Sequence, residues 1–222
     1  MSLLPLRFRG GHLFLEVDGG LWVVDTGAPA SFGAVPSVRI AGHTAPVRNS
    51  FFGLDASTLS RYVGVQCSGL LGADVLGELD IVFDVPDETA SISTGALVHD
   101  GSTVALEEVM GLPIVSVASQ GVSHRMFFDT GAKISYYQDE SLSEYPSAGP
   151  ITDFYPGVGQ FQTETHLVDL TIGGMSFALR CGSLPGPLAA TLMIAGVNGI
   201  VGNEILTAQP RAYFPRRHLL VL

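Results

Sequence analysis

Short apolar runs punctuated by glycine-rich turns dominate the chain. Gly11-His12-Leu13-Phe14-Leu15-Glu16-Val17 leads through Asp18-Gly19-Gly20 into Leu21-Trp22-Val23-Val24, which predicts a β-hairpin. Gly111-Leu112-Pro113-Ile114-Val115-Ser116-Val117 predicts a second hairpin, with a longer turn through Gln120-Gly121, ending in Met126-Phe127-Phe128. Residues 38–43 and 170–175 carry further hairpin patterns, and residues 79–85 and 211–215 read as single apolar strands. Helical signals are few. Asp55 is placed to cap a short helix running through Tyr62, and a turn or two is expected after Gly72 and after Gly202. The expected fold class is all-β with few short helices.

These patterns occur twice, in the same order. Val24-Asp25-Thr26-Gly27-Ala28 returns as Phe128-Asp129-Thr130-Gly131-Ala132, each after bulky apolar residues. On average composition a given tetrapeptide arises at on the order of a few positions in 10⁵, so two copies in one short chain mark an internal duplication. Leu70-Leu71-Gly72-Ala73-Asp74-Val75-Leu76 likewise matches Ile200-Val201-Gly202-Asn203-Glu204-Ile205-Leu206. The expected organisation is two homologous lobes, residues 1–99 and 100–222, each of ordinary domain size.

One Asp-Thr-Gly reads as a turn, because Asp and Gly both favour turns. Two copies at equivalent places in a duplicated chain point to chemistry instead. If two such loops meet, their carboxylates lie together in an apolar cleft. Like charges that close share one proton, leaving one carboxylate as general base and one carboxyl as general acid.

On these residues the chain resembles the aspartic peptidase superfamily, in both its pepsin-like and retropepsin-like branches. The carrying motifs are the two hydrophobic-Asp-Thr-Gly-Ala segments and the later hydrophobic-hydrophobic-Gly segments, and they cover nearly the whole chain. The resemblance implies two barrel-like lobes related by a pseudo-twofold axis, with the active site in the cleft between them. It implies Asp25 and Asp129 as the catalytic pair and Thr26 and Thr130 as a hydrogen-bonded grip between loops. Gly27 and Gly131 become close-approach positions, Ala28 and Ala132 complete the loops, and Gly72 and Gly202 belong to two ψ-shaped crossings. The implied activity is endopeptidase cleavage of an extended polypeptide by an activated water, with no cofactor and no metal. One chain suffices for the site, so a monomer is competent. A catalytically silent peptide-binding module on the same fold is the alternative.

Details lean toward retropepsins. Ala follows each Asp-Thr-Gly, and Pro156-Gly157-Val158-Gly159-Gln160-Phe161 is similar to a glycine-rich flap tip. Both halves nevertheless lie in one chain, as in pepsin-like enzymes. Asp25 to Ile40 spans 15 residues whereas Asp129 to Ile172 spans 43, an excess of 28. That excess places a single flap on the second half, with Tyr155, Gly157, Val158 and Gly159 as candidate contacts to a bound peptide. The flap of pepsin-like enzymes lies on the first lobe, so this polarity is reversed.

Composition narrows the partners. Charged residues make up 14% of the 222 positions against 46% hydrophobic, with 27 Gly and 13 Pro, which suits short strands and tight turns. The net charge of −10 offers a phosphate backbone no counterion release, so no nucleic-acid partner is expected. No run of about 18 apolar residues is present, and no signal peptide is read at the start, so no membrane partner and a cytoplasmic location are expected. Cys67 and Cys181 read as buried thiols. The six histidines lack metal-ligand spacing and are expected at turns or on the surface. Lys133, close behind the second Asp-Thr-Gly, has no partner readable from sequence. Residues 3–6 and 219–222 are expected to pair with each other in a sheet.

Overall fold

A computed structural model gives residues 1–156 and 158–222. The chain is mostly β. Among the described residues, seventeen strands join in one mixed sheet, and two short hairpins, Ser37–Ile40 with His43–Pro46 and Ser50–Phe51 with Leu54–Asp55, stand apart. The result is a large mixed sheet and not a clear barrel. Several strands pair far along the chain: Ser2–Arg9 with Thr89–Ser93, Asp80–Asp84 with Arg211–Phe214, and Thr103–Val109 with Leu219–Val221.

The expected hairpins form. His12–Val17 pairs with Gly20–Val24 across Asp18-Gly19, both at positive φ (50° and 78°), the two-residue turn that matches strand twist. The turn at Gln120-Gly121 (48° and 80°) is just as tight and not longer as expected, because Leu112–Ser119 and Val122–Phe128 each extend further toward it. The two terminal segments share a sheet but do not pair with each other. Residues 2–5 pair with residues 89–92, while Leu219–Val221 pairs with residues 103–105 and 212–214, leaving three strands between them.

Helix Ala56–Val63 forms where expected. The Asp55 carboxylate accepts from Thr58 N at 2.7 Å at its start, and Gly64 takes a left-handed conformation at its end. Short helical turns follow Gly72 (Ala73–Leu76) and Gly202 (Asn203–Leu206). Helix Gly186–Ile194 was not expected. Its sequence opens on Pro185-Gly186-Pro187 and then is apolar on all sides, so it carries no amphipathic period, yet Pro is well tolerated in a first turn. No helix among the described residues is long and apolar enough to cross a membrane.

The largest core cluster draws on both expected segments, packing Leu13, Phe83 and Ile92 with Val117, Phe128 and Tyr213. Of three smaller clusters among the described residues, one holds Phe14, Val23, Phe32, Leu59 and Leu70, and another holds Ile134, Tyr136, Leu188 and Ile200. Both cysteines are free and buried. Asp80, fully buried, accepts from Arg216 (3.0 Å), Arg217 (2.6 Å) and Leu97 N (2.9 Å), which fastens the irregular stretch after Ser93 to the end of the chain.

Candidate active site

Each Asp-Thr-Gly leaves the end of a strand that is held by a later parallel strand. Gly20–Val24 pairs with Gly69–Leu71, and Asp25 N donates to Leu71 O at 3.0 Å. Val122–Phe128 pairs with Gly199–Val201, and Asp129 N donates to Val201 O at 2.9 Å. The glycines that follow are needed for this crossing. A Cβ on Gly72 would lie 2.7 Å from Ala28 O, and one on Gly202 2.5 Å from Ile134 O. Ser31 Oγ accepts from Gly72 N at 2.8 Å, and Ser135 Oγ accepts from Gly202 N at 3.1 Å.

The two loops grip each other through fully buried threonines. Thr26 Oγ1 donates to Phe128 O (2.6 Å) and accepts from Thr130 N (3.0 Å). Thr130 Oγ1 donates to Val24 O (2.8 Å) and accepts from Thr26 N (3.1 Å). Four reciprocal bonds therefore fix the spacing of Asp25 and Asp129.

Within each loop one carboxylate oxygen is held by backbone. Asp25 Oδ1 accepts from Gly27 N (3.0 Å) and Ala28 N (2.8 Å), and Asp129 Oδ1 accepts from Gly131 N (2.8 Å) and Ala132 N (3.2 Å). The carboxyl groups face across the loop glycines. A Cβ on Gly27 would sit 2.3 Å from Asp129 Cγ, and one on Gly131 2.3 Å from Asp25 Cγ. Gly27→Ala should therefore push the Asp129 carboxylate aside and destabilise the chain by about 1–3 kcal/mol, read as a lower midpoint of urea unfolding.

Burial raises both acids. Asp25 is held well above the ordinary carboxylate range, first by burial and then by the charge of Asp129, with the Gly27 and Ala28 N–H groups opposing. Asp129 is also raised by burial, partly offset by its hydrogen bonds. Two acids pushed upward in one buried place titrate as a pair that can hold one proton between them.

Both face a cavity of about 360 Å³. Its apolar walls include Val23, Leu59 and Leu70 on one side and Phe161, Leu184 and Ile200 on the other. The strands Ser147–Tyr155 and Gly159–Ile172 form the long hairpin expected in the second half, and Tyr155 and Pro156 at its tip line the same cavity. Burial and the charges of Asp129 and Asp25 push the Tyr155 phenol up. Phe154 reaches across to Tyr62 on helix Ala56–Val63, with ring centroids 4.9 Å apart. Val158 is exposed and donates its N–H to Tyr155 O (3.1 Å), Gly159 pairs with Tyr155, and Gly157 lies outside the described residues. The first half adds the short hairpin turned by Phe52-Gly53, whose Phe51 and Phe52 also line the cavity.

Several polar groups, some at the site and some away from it, were not legible in sequence. His12 and His124 are buried, not on the surface, because each ring has a polar partner: His12 Nδ1 lies 3.1 Å from Gly131 O, and His124 Nε2 lies 3.0 Å from Tyr137 OH. Burial keeps His12 below its ordinary value and therefore uncharged at neutral pH. Asp153 is buried on the hairpin beside the cavity, accepting from Tyr136 OH at 2.5 Å. Lys133 finds its partners here, donating to Thr152 O (2.5 Å) and lying 3.6 Å from Asp153 Oδ1. Aligning the two copies offers one signal for Tyr136, which stands where the first copy has Phe32: the added hydroxyl needs a partner.

No family model and no curated protein matches this chain.

Proposed function

We propose that the chain is an aspartic endopeptidase of two pseudo-twofold lobes, residues 1–99 and 100–222, that hydrolyses an extended polypeptide in the cavity between them. The observation that carries this reading is the pair of reciprocally bonded Asp-Thr-Gly loops, which aim two proton-sharing carboxyls into one apolar cavity. The ionised member takes a proton from a water that attacks the scissile carbonyl, and the protonated member donates to the carbonyl oxygen. No covalent intermediate forms. The hairpin ending at Tyr155 and Pro156 covers the dyad, supplies backbone hydrogen bonds to the substrate strand, and keeps bulk water away.

The test is digestion of a denatured protein from acidic to neutral pH. New chain termini are expected, and they should vanish when a statine-type transition-state mimic is added. Absence of cleavage throughout would remove the reading.

The loops also set the pH range. At positions 28 and 132 an alanine stands beside each carboxylate, so no hydroxyl adds to the backbone donors. Ala28→Ser and Ala132→Ser supply a donor that favours the ionised form and lowers its pKa. The acidic limb of the pH–kcat/KM profile should therefore move to lower pH in each variant; an unmoved limb refutes this.

A further inference from the structure

We propose that Asp153 makes the Asp129 side of the cavity selective for a cationic side chain, lysine or arginine, next to the scissile bond; the inference rests on the peptidase reading above. The two walls of the cavity differ in kind. On the side of Asp25, Phe51, Leu54, Leu59 and Leu70 present hydrocarbon and aromatic surface. On the side of Asp129, apolar Phe161, Leu184 and Ile200 are interrupted by Tyr136 and Asp153.

Asp153 is 6% exposed, and it lines the cavity. Its oxygens are only partly used. Tyr136 OH donates to Oδ2 at 2.5 Å and Phe154 N donates to Oδ1 at 2.9 Å. Lys133 Nζ stands 3.6 Å from Oδ1, beyond hydrogen-bond distance, and gives its own short bond to Thr152 O. A carboxylate has about four acceptor positions, so roughly two stay free for a ligand. Tyr136 adds no negative charge of its own, since burial and the charge of Asp153 push its phenol up and keep it a protonated donor to Asp153.

The local charge favours a cation. The dyad with one shared proton carries one negative charge and Asp153 a second, against the single positive charge of Lys133. His12, which also faces Asp153 and Lys133, is held neutral by burial and offsets nothing. An apolar side chain placed there would leave buried acceptor positions facing hydrocarbon, which a site built for hydrogen bonding rejects.

The experiment compares peptides that differ only by lysine against norleucine, an isostere without the ammonium group, at each position flanking the scissile bond in turn. At one position wild type should prefer lysine by at least about tenfold in kcat/KM, and the preference should shrink to near unity in Asp153→Asn. Tyr136→Phe, which keeps the carboxylate, should retain a preference for lysine. The same pair of side chains built into a statine-type mimic should show the preference as a difference in Kd for wild type. That difference decides the matter even if a variant fails to fold. Equal cleavage of both peptides at both positions, or a preference unchanged in Asp153→Asn, overturns the role of Asp153 while leaving the peptidase reading intact. If neither peptide is cut and neither mimic binds, the peptidase reading falls, and this inference with it.

Discussion

On the proposed peptidase reading, Asp25→Asn and Asp129→Asn are each expected to lower kcat/KM by at least about 10³-fold while the fold survives, because the pair would need one ionised and one protonated carboxyl and an amide is neither. The same substitutions change stability in the opposite sense. Both acids are raised above their ordinary value in the folded chain, chiefly by burial. A raised carboxyl contributes stability that is fully present below the unfolded pKa of about 4 and is lost as pH rises through the folded value. At neutral pH the wild-type pair therefore weakens the fold relative to a neutral amide. Each Asn variant should unfold at higher urea than wild type at pH 7, and the difference should disappear near pH 4. Wild-type turnover in either variant would exclude that acid from the reaction, and an unfolding difference independent of pH would contradict the raised values.

Thr26→Val should be the most damaging single substitution away from the acids. The change keeps the shape but removes a hydroxyl that serves Phe128 O and Thr130 N at once, both in fully buried surroundings. Leaving two buried backbone groups unpaired costs roughly 1–3 kcal/mol each, so a loss of about 2–6 kcal/mol is expected. For a chain of this size that lowers Tm by roughly 2–4 °C per kcal/mol. Thr26→Ser retains the hydroxyl and should stay close to wild type. Activity in Thr26→Val should fall even below the unfolding range, because these two bonds and the two made by Thr130 set the spacing of the carboxyls.

How much of this is legible in sequence depends on whether the controlling interaction is local. The hairpins were readable because Asp18-Gly19 and the apolar runs on either side of it act within a few positions. The helix after Asp55 was readable for the same reason. The duplicated Asp-Thr-Gly-Ala pointed to the carboxyl pair before any geometry, since repetition itself carries information that one turn motif lacks. The tight turn at Gln120-Gly121 was misjudged because the strand ends on either side continue through polar residues such as Ser119 and Ser123, which break the apolar run without breaking the ladder. The order of strands in the sheet was not readable. Whether residues 2–5 meet residues 219–222 or residues 89–92 is settled by packing over the whole chain, and no local residue encodes it. The polar cluster of Lys133, Tyr136 and Asp153 was hidden for a related reason. Lys133 and Asp153 lie 20 residues apart in sequence, and they meet only because Ser135–Tyr137, just after Lys133, joins the long hairpin through strand Met175–Gly182.

The most direct test of the carboxyl pair is calorimetric titration of wild type and both Asn variants with one statine-type mimic, whose hydroxyl takes the place of the attacking water. One-to-one binding to wild type is expected, weakening as the shared proton is lost at higher pH, with a loss of at least about 10²-fold in affinity in each variant. Equal affinity for wild type and the Asn variants, or no binding at any pH, would contradict it. Equal affinity would mean that the cavity holds a peptide without the two acids acting on it.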